Sequence, residues 1–561
     1  MRRQRWAAMD DHARAALLHR GLDDIFDPAL RRSIGELIDD VREHGDAAVC
    51  RALARFDRIE LEPHQLRVSA AEIDGAAVSP EVDAAIDDAI EHLRAFNERL
   101  VERASDWSFE SEPGLVVGEK ITPITSAGLF VPSGKASYPS VAYQLAVPAV
   151  VAGVADIALV VPPVPGGTGE VDPAVLTVCR KLGIDQVFRV NGPAGIAALG
   201  FGTESFPRVR KIVGPGSPAV TCAQVEMQRH GVATMMLLGP TESVVVADES
   251  ADPLLLAADL LIEAEHGTDS AVVLITTSAA LADAVDVELA RQLAALPAVR
   301  AEAARASLGV NGGCVFVDDL AVAASVANAY APEHLQLAVA DDAIDATLEL
   351  LTDAGEILVG QHTPFSAANF VIGCPASLPT SGFAQVSSGI TAEAFLKRTA
   401  VARADSRALE RMAPSILALA DHEGFPAHGN AIRERLGERR APAELQFEPA
   451  VAVSGHDLGD DDLVAVVPAG VLLLGLQVRG RPREVFQVVQ VLPAVNGVAH
   501  HAVGRLPVAH ADVAGRGLGD LSDLSVEPVE VLVVGAGLED EGDLVHGVSL
   551  YPMSAVHCTH G

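Results

Sequence analysis

The hydrophobic pattern of this chain changes period near residue 121. Before that point, segments such as LRRSIGELIDDVREHGDAAVCRALARF and EVDAAIDDAIEHLRAFNERLVERA repeat apolar residues at i, i+3, i+4 and i+7. That spacing lines one face of an α-helix. After it come short runs that are apolar at almost every position: ADIALVVPP, DQVFRV, RKIVGPG, SVVVAD, AVVLITTS, CVFVDD, LQLAV and GEILVG. Such runs fit strands of a parallel sheet covered on both faces. Helical stretches such as YQLAVPAVVAGV, GIAALGFG and LAVAASVANAYA separate them. The alternation predicts a doubly wound α/β architecture, repeated enough for two sheets.

One helix can be bounded from the sequence. Asp252 suits an N-cap, Pro253 the first helical position, and Gly267 a C-terminal stop. Within 253–266, Glu263 and His266 are three residues apart and share a face. Beyond about residue 440 the texture changes again. The last lysine is Lys397, and 441–561 holds five arginines against sixteen acidic residues, with seven of the eighteen histidines. This stretch is rich in Val, Leu, Gly and Asp but has neither a sustained helical period nor clean alternation. It reads either as an appended domain or as a segment not selected to fold, because its local signals disagree.

With 561 residues the chain is too long for one core and divides into domains. A formal net charge of −35 argues against a phosphate-neutralising nucleic-acid binder and favours solubility. The six cysteines, Cys50, Cys179, Cys222, Cys314, Cys374 and Cys558, are scattered without a C-x-x-C pair, as expected for reduced thiols in the cytoplasm. The first residues lack the apolar core of a signal peptide. The longest apolar run, Leu463 to Leu476, is broken by Pro468 and Gly470 and falls short of the ~20 residues that span a bilayer.

Seven segments, in order, carry a family resemblance: AGLFVPSGKASYPS, GIAALGFGTESFPRVRKIVGPG, LLGPTESVVVAD, LLIEAEHGTDS, YAPEHL, SLPTSGFAQVSSG and FLKRTAV. From about Leu18 to Gly437 the chain resembles the histidinol dehydrogenases. The resemblance implies two Rossmann-like domains, one zinc per active site, and an intertwined homodimer. It also implies NAD-dependent oxidation of L-histidinol through the aldehyde to L-histidine. The expected organisation is a helical arm (1–21), a discontinuous first domain (22–129 and 242–390), and a second, NAD-side domain (130–241). A helical dimerisation segment (391–438) and an atypical tail (439–561) follow.

The same resemblance assigns roles. Glu333 and His334 occupy the catalytic Glu-His position. Imidazole suits removal of the alcohol proton near neutral pH, and a carboxylate suits activation of the water that attacks the aldehyde. The family's zinc ligands, Gln, His, Asp and a C-terminal His, correspond to Glu263, His266, Asn369 and His428, so amide and carboxylate have exchanged places. Two imidazoles and two oxygen donors remain acceptable to zinc. Thr241 and Glu423 match substrate-binding positions, which with Glu263, His266, His334, Asn369 and His428 surround the substrate. Ala376 stands where the family has a histidine, which opens the question of another small amino alcohol. Phe130, Ala194 and Ser217 replace the family's Tyr, Gln and Asn at cofactor contacts. The turn Gly214-Pro215-Gly216 would let backbone approach phosphate. A non-catalytic dimeric binding protein that keeps the fold is the alternative; the five residues Glu333, His334, His266, His428 and Glu423 argue for catalysis.

Overall fold

The computed structural model describes residues 1–18, 27–133, 137–190, 192–235 and 239–437, and the backbone of five strands between 471 and 551. These form two compact units, Met1–Leu409 and Glu410–Gly561. The first is a mixed α/β structure with two parallel sheets and many helices.

The smaller parallel sheet comprises β4 (Ser126–Phe130), β5 (Asp156–Val161), β6 (Gln186–Arg189) and β7 (Lys211–Val213) in the order β6-β5-β4-β7. Helices Pro139–Val151 and Pro173–Leu182 pack on one face, and Gly192–Phe201 and Pro218–Gln228 on the other. Both faces are therefore dry, which is why its strands read as unbroken apolar runs. An outer layer follows. The apolar stripe Ile34, Ile38, Val41 and Val49 of helix Pro28–Ala52 packs onto the second pair of helices. The stripe Ile86, Ala89, Ile90 and Leu93 of helix Pro80–Arg103 packs onto the first. The expectation placed 22–129 with 242–390; the two helices Pro28–Ala52 and Pro80–Arg103 within it cover the smaller sheet. Periodicity shows which face of a helix is buried, not which sheet receives it.

The larger sheet has six parallel strands in the order β1-β10-β9-β8-β11-β12. They are β1 (Arg3–Arg5), β8 (Glu242–Ala247), β9 (Ala271–Thr276), β10 (Gly313–Phe316), β11 (His334–Ala338) and β12 (Glu356–Val359). Helices Pro253–Ala264, Ala279–Leu293 and Phe365–Phe370 cover one face, and Leu320–Tyr330 with Asp11–Leu18 the other. The N-terminal arm, expected as helix, opens with the edge strand β1. Its sequence, Arg-Gln-Arg, carries no apolar signal. Arg3 is instead tied to Asp283 and Asp286 at 2.5 and 2.6 Å.

A third sheet, β13-β3-β2, is antiparallel and built from β2 (Trp107–Glu112), β3 (Leu115–Pro123) and β13 (Leu396–Ala404). The segment 391–438, expected as helical, therefore includes a strand. β2 and β13 are exposed along nearly their whole length, so no buried face imposed alternation on them. Helices Ser406–His422 and Pro426–Arg435 follow. In the tail, β14 (Val471–Leu476), β15 (Val485–Val491), β16 (Ala499–Arg505), β17 (Val531–Leu538) and β18 (Leu544–Tyr551) form an antiparallel sheet in sequence order. The rest of 439–561 lies outside the described residues. Among the described residues no helix is long and apolar enough to cross a membrane.

Candidate active site

The amino ends of β8, β11 and β12 stand level. His334 pairs with Ser243 on one side and Glu356 on the other. Helix Leu320–Tyr330 delivers the chain there by stopping at Ala331, which takes the left-handed conformation at φ 48°. Pro332 cannot continue the helix. Left-handed backbone at a residue with a Cβ costs about 1 kcal/mol. The turn is held by Gly355 N–H donating to Pro332 O at 2.9 Å and Glu356 N–H to Glu333 O at 3.2 Å.

Glu333 and His334 are both buried. One Glu333 oxygen accepts the Glu242 backbone N–H at 3.1 Å, and the other lies 3.7 Å from His334 Nε2. Burial pushes the Glu333 carboxyl up to about 8, helped by Glu263 and opposed by His334. The imidazole experiences the opposite balance. Burial disfavours its charged form, but Glu263, Glu333 and Glu356 outweigh that and raise it to about 10. His334 Nδ1 lies 2.5 Å from Glu356 Oε1, and Phe365 packs edge-on to the ring at 5.9 Å.

Helix Pro253–Ala264 starts as its sequence predicts, with Asp252 accepting from Leu254 N at 2.9 Å. Linking two parallel neighbours, it runs back along the sheet and brings its C-terminal turn to the strands' amino edge. Glu263, in that turn, is 1% exposed. Asn369 Nδ2 donates to its Oε1 at 2.7 Å, and His266 Nδ1 lies 3.3 Å from its Oε2. The structure thus gathers Glu263, His266 and Asn369 in one cluster, whose Glu263 charge acts on both Glu333 and His334. Thr241 immediately precedes Glu242 at the same edge. Ala376 lies on the loop after helix Phe365–Phe370, where its N–H donates to Gln144 Oε1 at 3.1 Å. That bond joins the loop to helix Pro139–Val151 beside the smaller sheet. Glu423 and His428 belong to the second unit; both are exposed, and His428 packs against Phe425 at 5.1 Å.

The three expected cofactor contacts lie at the carboxyl edge of the smaller sheet. Phe130 ends β4, Ala194 is in the first turn of helix Gly192–Phe201, and Ser217 caps helix Pro218–Gln228 without a side-chain hydrogen bond. Phe130 and Ala194 are buried, whereas Ser217 is exposed. Glycine is required around them. A Cβ at Gly214, where φ is 140°, would collide with the carbonyl oxygen of Phe130. Cβ atoms at Gly192 and Gly216 would each come within 2.6 Å of Val220.

Two residues escaped the sequence reading, Glu242 and Glu356. Their available signal was a carboxylate opening an otherwise apolar strand, in ESVVVA and EILV.

The histidinol dehydrogenase family profile matches residues 24–436. This chain belongs to the histidinol dehydrogenase family. It is 42% identical over 406 residues to the histidinol dehydrogenase of Rhizobium meliloti (strain 1021), covering 72% of this chain and 91% of that protein. It is 38% identical over 431 residues to histidinol dehydrogenase homolog 2 of Mesorhizobium japonicum, covering 76% and 96%. Among solved structures, histidinol dehydrogenase from Elizabethkingia anophelis superposes with a TM-score of 0.73 at 30% identity, covering 78% of this chain and 98% of that one. Family membership makes the protein an oxidoreductase, and the match ends just before the tail whose composition departs.

Proposed function

We propose that this protein oxidises L-histidinol through the aldehyde to L-histidine with NAD, in histidine biosynthesis in the cytoplasm. The observation that carries the reading is the buried Glu333–His334 pair at the amino edge of β11, in the family's catalytic position. In its neutral form His334 takes the hydroxyl proton of the alcohol on Nε2. Glu333 then orients and deprotonates the water that adds to the aldehyde carbon; a carboxyl raised by burial is a stronger base than an exposed one. When bound, NAD accepts hydride in each of the two oxidations, and zinc polarises the reacting oxygen.

The residues fit a dinucleotide, and three of them supply donors that zinc accepts. Glycines 192, 214 and 216 keep backbone bare beside two helix N-termini, a setting that favours a diphosphate. Among the described residues no three His, Cys, Asp or Glu side chains converge on a metal position. Glu263 and His266 with the Asn369 amide supply one carboxylate, one imidazole and one neutral oxygen. The family's fourth ligand corresponds to His428 and comes from the other subunit. A cation near Glu263 would also offset the foremost carboxylate that raises His334.

The intertwined homodimer of Rossmann-like domains is part of this reading. Support comes from the β13-β3-β2 sheet, which leaves Trp107, Phe109 and Val401 about half exposed. The test is NADH formation from L-histidinol against a panel of amino and hydroxy alcohols, with and without added zinc. Turnover of L-histidinol to histidine with two NADH is the expected result. Turnover of another amino alcohol but not of L-histidinol would overturn it, and Ala376 would then be the first position to examine.

A further inference from the structure

Glu356 has no part in the roles assigned above, yet it makes the shortest polar contact of the catalytic histidine. It opens β12 directly beside His334 in the parallel register. Paired residues on parallel strands project to the same face of a sheet. The carboxylate and imidazole therefore meet in the layer between the sheet and helix Pro253–Ala264. Glu356 is 9% exposed and His334 2%. Oε1 of Glu356 lies 2.5 Å from Nδ1 of His334, leaving Nε2 on the side of Glu333. Phe365 braces the ring from its edge. The second oxygen, Oε2, is buried and has no hydrogen-bond partner among the described residues.

That last detail argues against a purely structural pair. Burying a carboxylate and an imidazole forfeits the hydration of both, and their attraction offsets the loss only when the remaining lone pairs are satisfied. Here one oxygen is left unsatisfied. Apolar residues at both 334 and 356 would fill the layer at least as stably. A buried, incompletely partnered carboxylate on the distal nitrogen of a base is instead the arrangement that orients an imidazole and stabilises its charged form.

We propose that Glu356 is the positioning residue of His334: it accepts the Nδ1–H bond, fixes the ring so that Nε2 faces the substrate, and compensates the positive charge formed when Nε2 takes the alcohol proton. The proposal rests on the reading of His334 as the base of the alcohol step. The step balances simply. The alcohol O–H bond breaks, the proton goes to Nε2, the hydride goes to NAD, and Glu356 takes no part in the proton transfer.

The experiment compares Glu356→Gln and Glu356→Leu in the full-length protein. Glutamine retains an acceptor for Nδ1–H without the charge; leucine removes both. Turnover of L-histidinol should fall roughly tenfold or more in the first and about a hundredfold or more in the second, the scale of losing support for a general base. KM should stay within about threefold, because Glu356 acts through His334 and not on the substrate. The thermal midpoint should fall in Glu356→Leu, because His334 is left buried without its partner, so turnover is taken per folded protein. A purely structural role gives the same fall in thermal midpoint with unchanged turnover per folded protein. A second readout needs no turnover. In protein labelled with 15N-histidine, a far-downfield proton on a ring nitrogen should be present in the parent and lost in both Glu356→Leu and His334→Asn. Its absence from the parent, or parental turnover in Glu356→Leu, overturns the proposal. A parent that shows the resonance, loses it in Glu356→Leu and still makes no NADH from L-histidinol upholds the histidine–glutamate unit; the substrate reading is then what fails.

Discussion

Asn369 donates to Glu263 at 2.7 Å, and the energetic meaning of that contact can be tested by exchanging the two side chains. Glu263 is 1% exposed, so a second carboxylate against it has little solvent to screen it. In Asn369→Asp, two charges would sit roughly 4 Å apart; at an effective dielectric constant of about 20 they repel by about 4 kcal/mol. Taking up a proton sets a ceiling on that penalty. Protonating one carboxyl of ordinary pKa at pH 7 costs about 3.7 kcal/mol. The expected loss for the metal-free protein is therefore about 3 to 4 kcal/mol. For a cooperative unit of roughly 400 residues this lowers the thermal midpoint by about 4 °C. Glu263→Gln alone removes a charge from a crowded anionic cluster, so its metal-free midpoint should hold or rise. In the Glu263→Gln background, Asn369→Asp should then cost almost nothing, because one carboxylate and one amide face each other again. The assay is calorimetry on chelator-treated parent, both single variants and the double variant, followed by zinc content after dialysis. Zinc retention should be lowest in Glu263→Gln and restored in the double variant. Equal falls for Asn369→Asp in both backgrounds would mean that the two side chains are not coupled, and the account of an exchanged ligand pair would be refuted.

Replacing the bases tests the chemistry directly. His334→Asn and Glu333→Gln should each lower turnover by a factor of about a hundred or more, with Glu333→Gln hurting aldehyde oxidation more than alcohol oxidation; parental rates in both would end the assignment. If His428 completes the partner's site, refolded mixtures of His334→Asn and His428→Ala protomers should recover activity above either parent variant, measured as NADH formation. No recovery would rule out sharing between subunits. Ending the chain after Glu438 should leave a dimer with unchanged activity by sedimentation and assay, since the family match stops at residue 436; an aggregated or monomeric product would show that the tail supports the core.

The elements that were legible in the sequence are those whose environment writes a pattern. Eight expected strands, from ADIALVVPP to GEILVG, became β5 to β12, because sheets dry on both faces demand apolar residues at every position. Helix Pro253–Ala264 was legible because its N-terminus needs a cap that Asp252 supplies. β1, β2 and β13 were not, for a common reason. An edge strand secured by arginine–aspartate pairs and a sheet left open to solvent place no demand on hydropathy. The proposed site was reached only in part from the sequence. Glu333, His334, Glu263, His266 and Asn369 could be found through family register. Glu356 could not, because its role depends on β12 lying beside β11, and parallel neighbours in a sheet are set by topology rather than by sequence distance.

In the proposed mechanism the two sheets present opposite edges to the chemistry, and elementary electrostatics accounts for the arrangement. In a doubly wound sheet, helix N-termini gather at the carboxyl edge and helix C-termini at the amino edge. The carboxyl edge is the usual ligand side because exposed N–H groups there attract anions. The smaller sheet follows that rule: Gly192, Gly214 and Gly216 clear the way to two helix starts, where the diphosphate of a dinucleotide would be favoured. The larger sheet inverts it. Glu333, His334 and Glu356 stand at the amino edge, where the C-terminal turn of helix Pro253–Ala264 brings carbonyl groups and Glu263. That end of a helix favours positive charge, which is what a protonated imidazole or a divalent cation carries. In the proposed mechanism, anion binding and proton abstraction use helix ends of opposite sign, one from each sheet. The loop carrying Ala376 links the two through its bond to Gln144. A substitution in that loop can therefore alter alignment between cofactor and base without touching either group, so loss of turnover at Ala376 variants should be read together with their KM for NAD before it is attributed to substrate recognition.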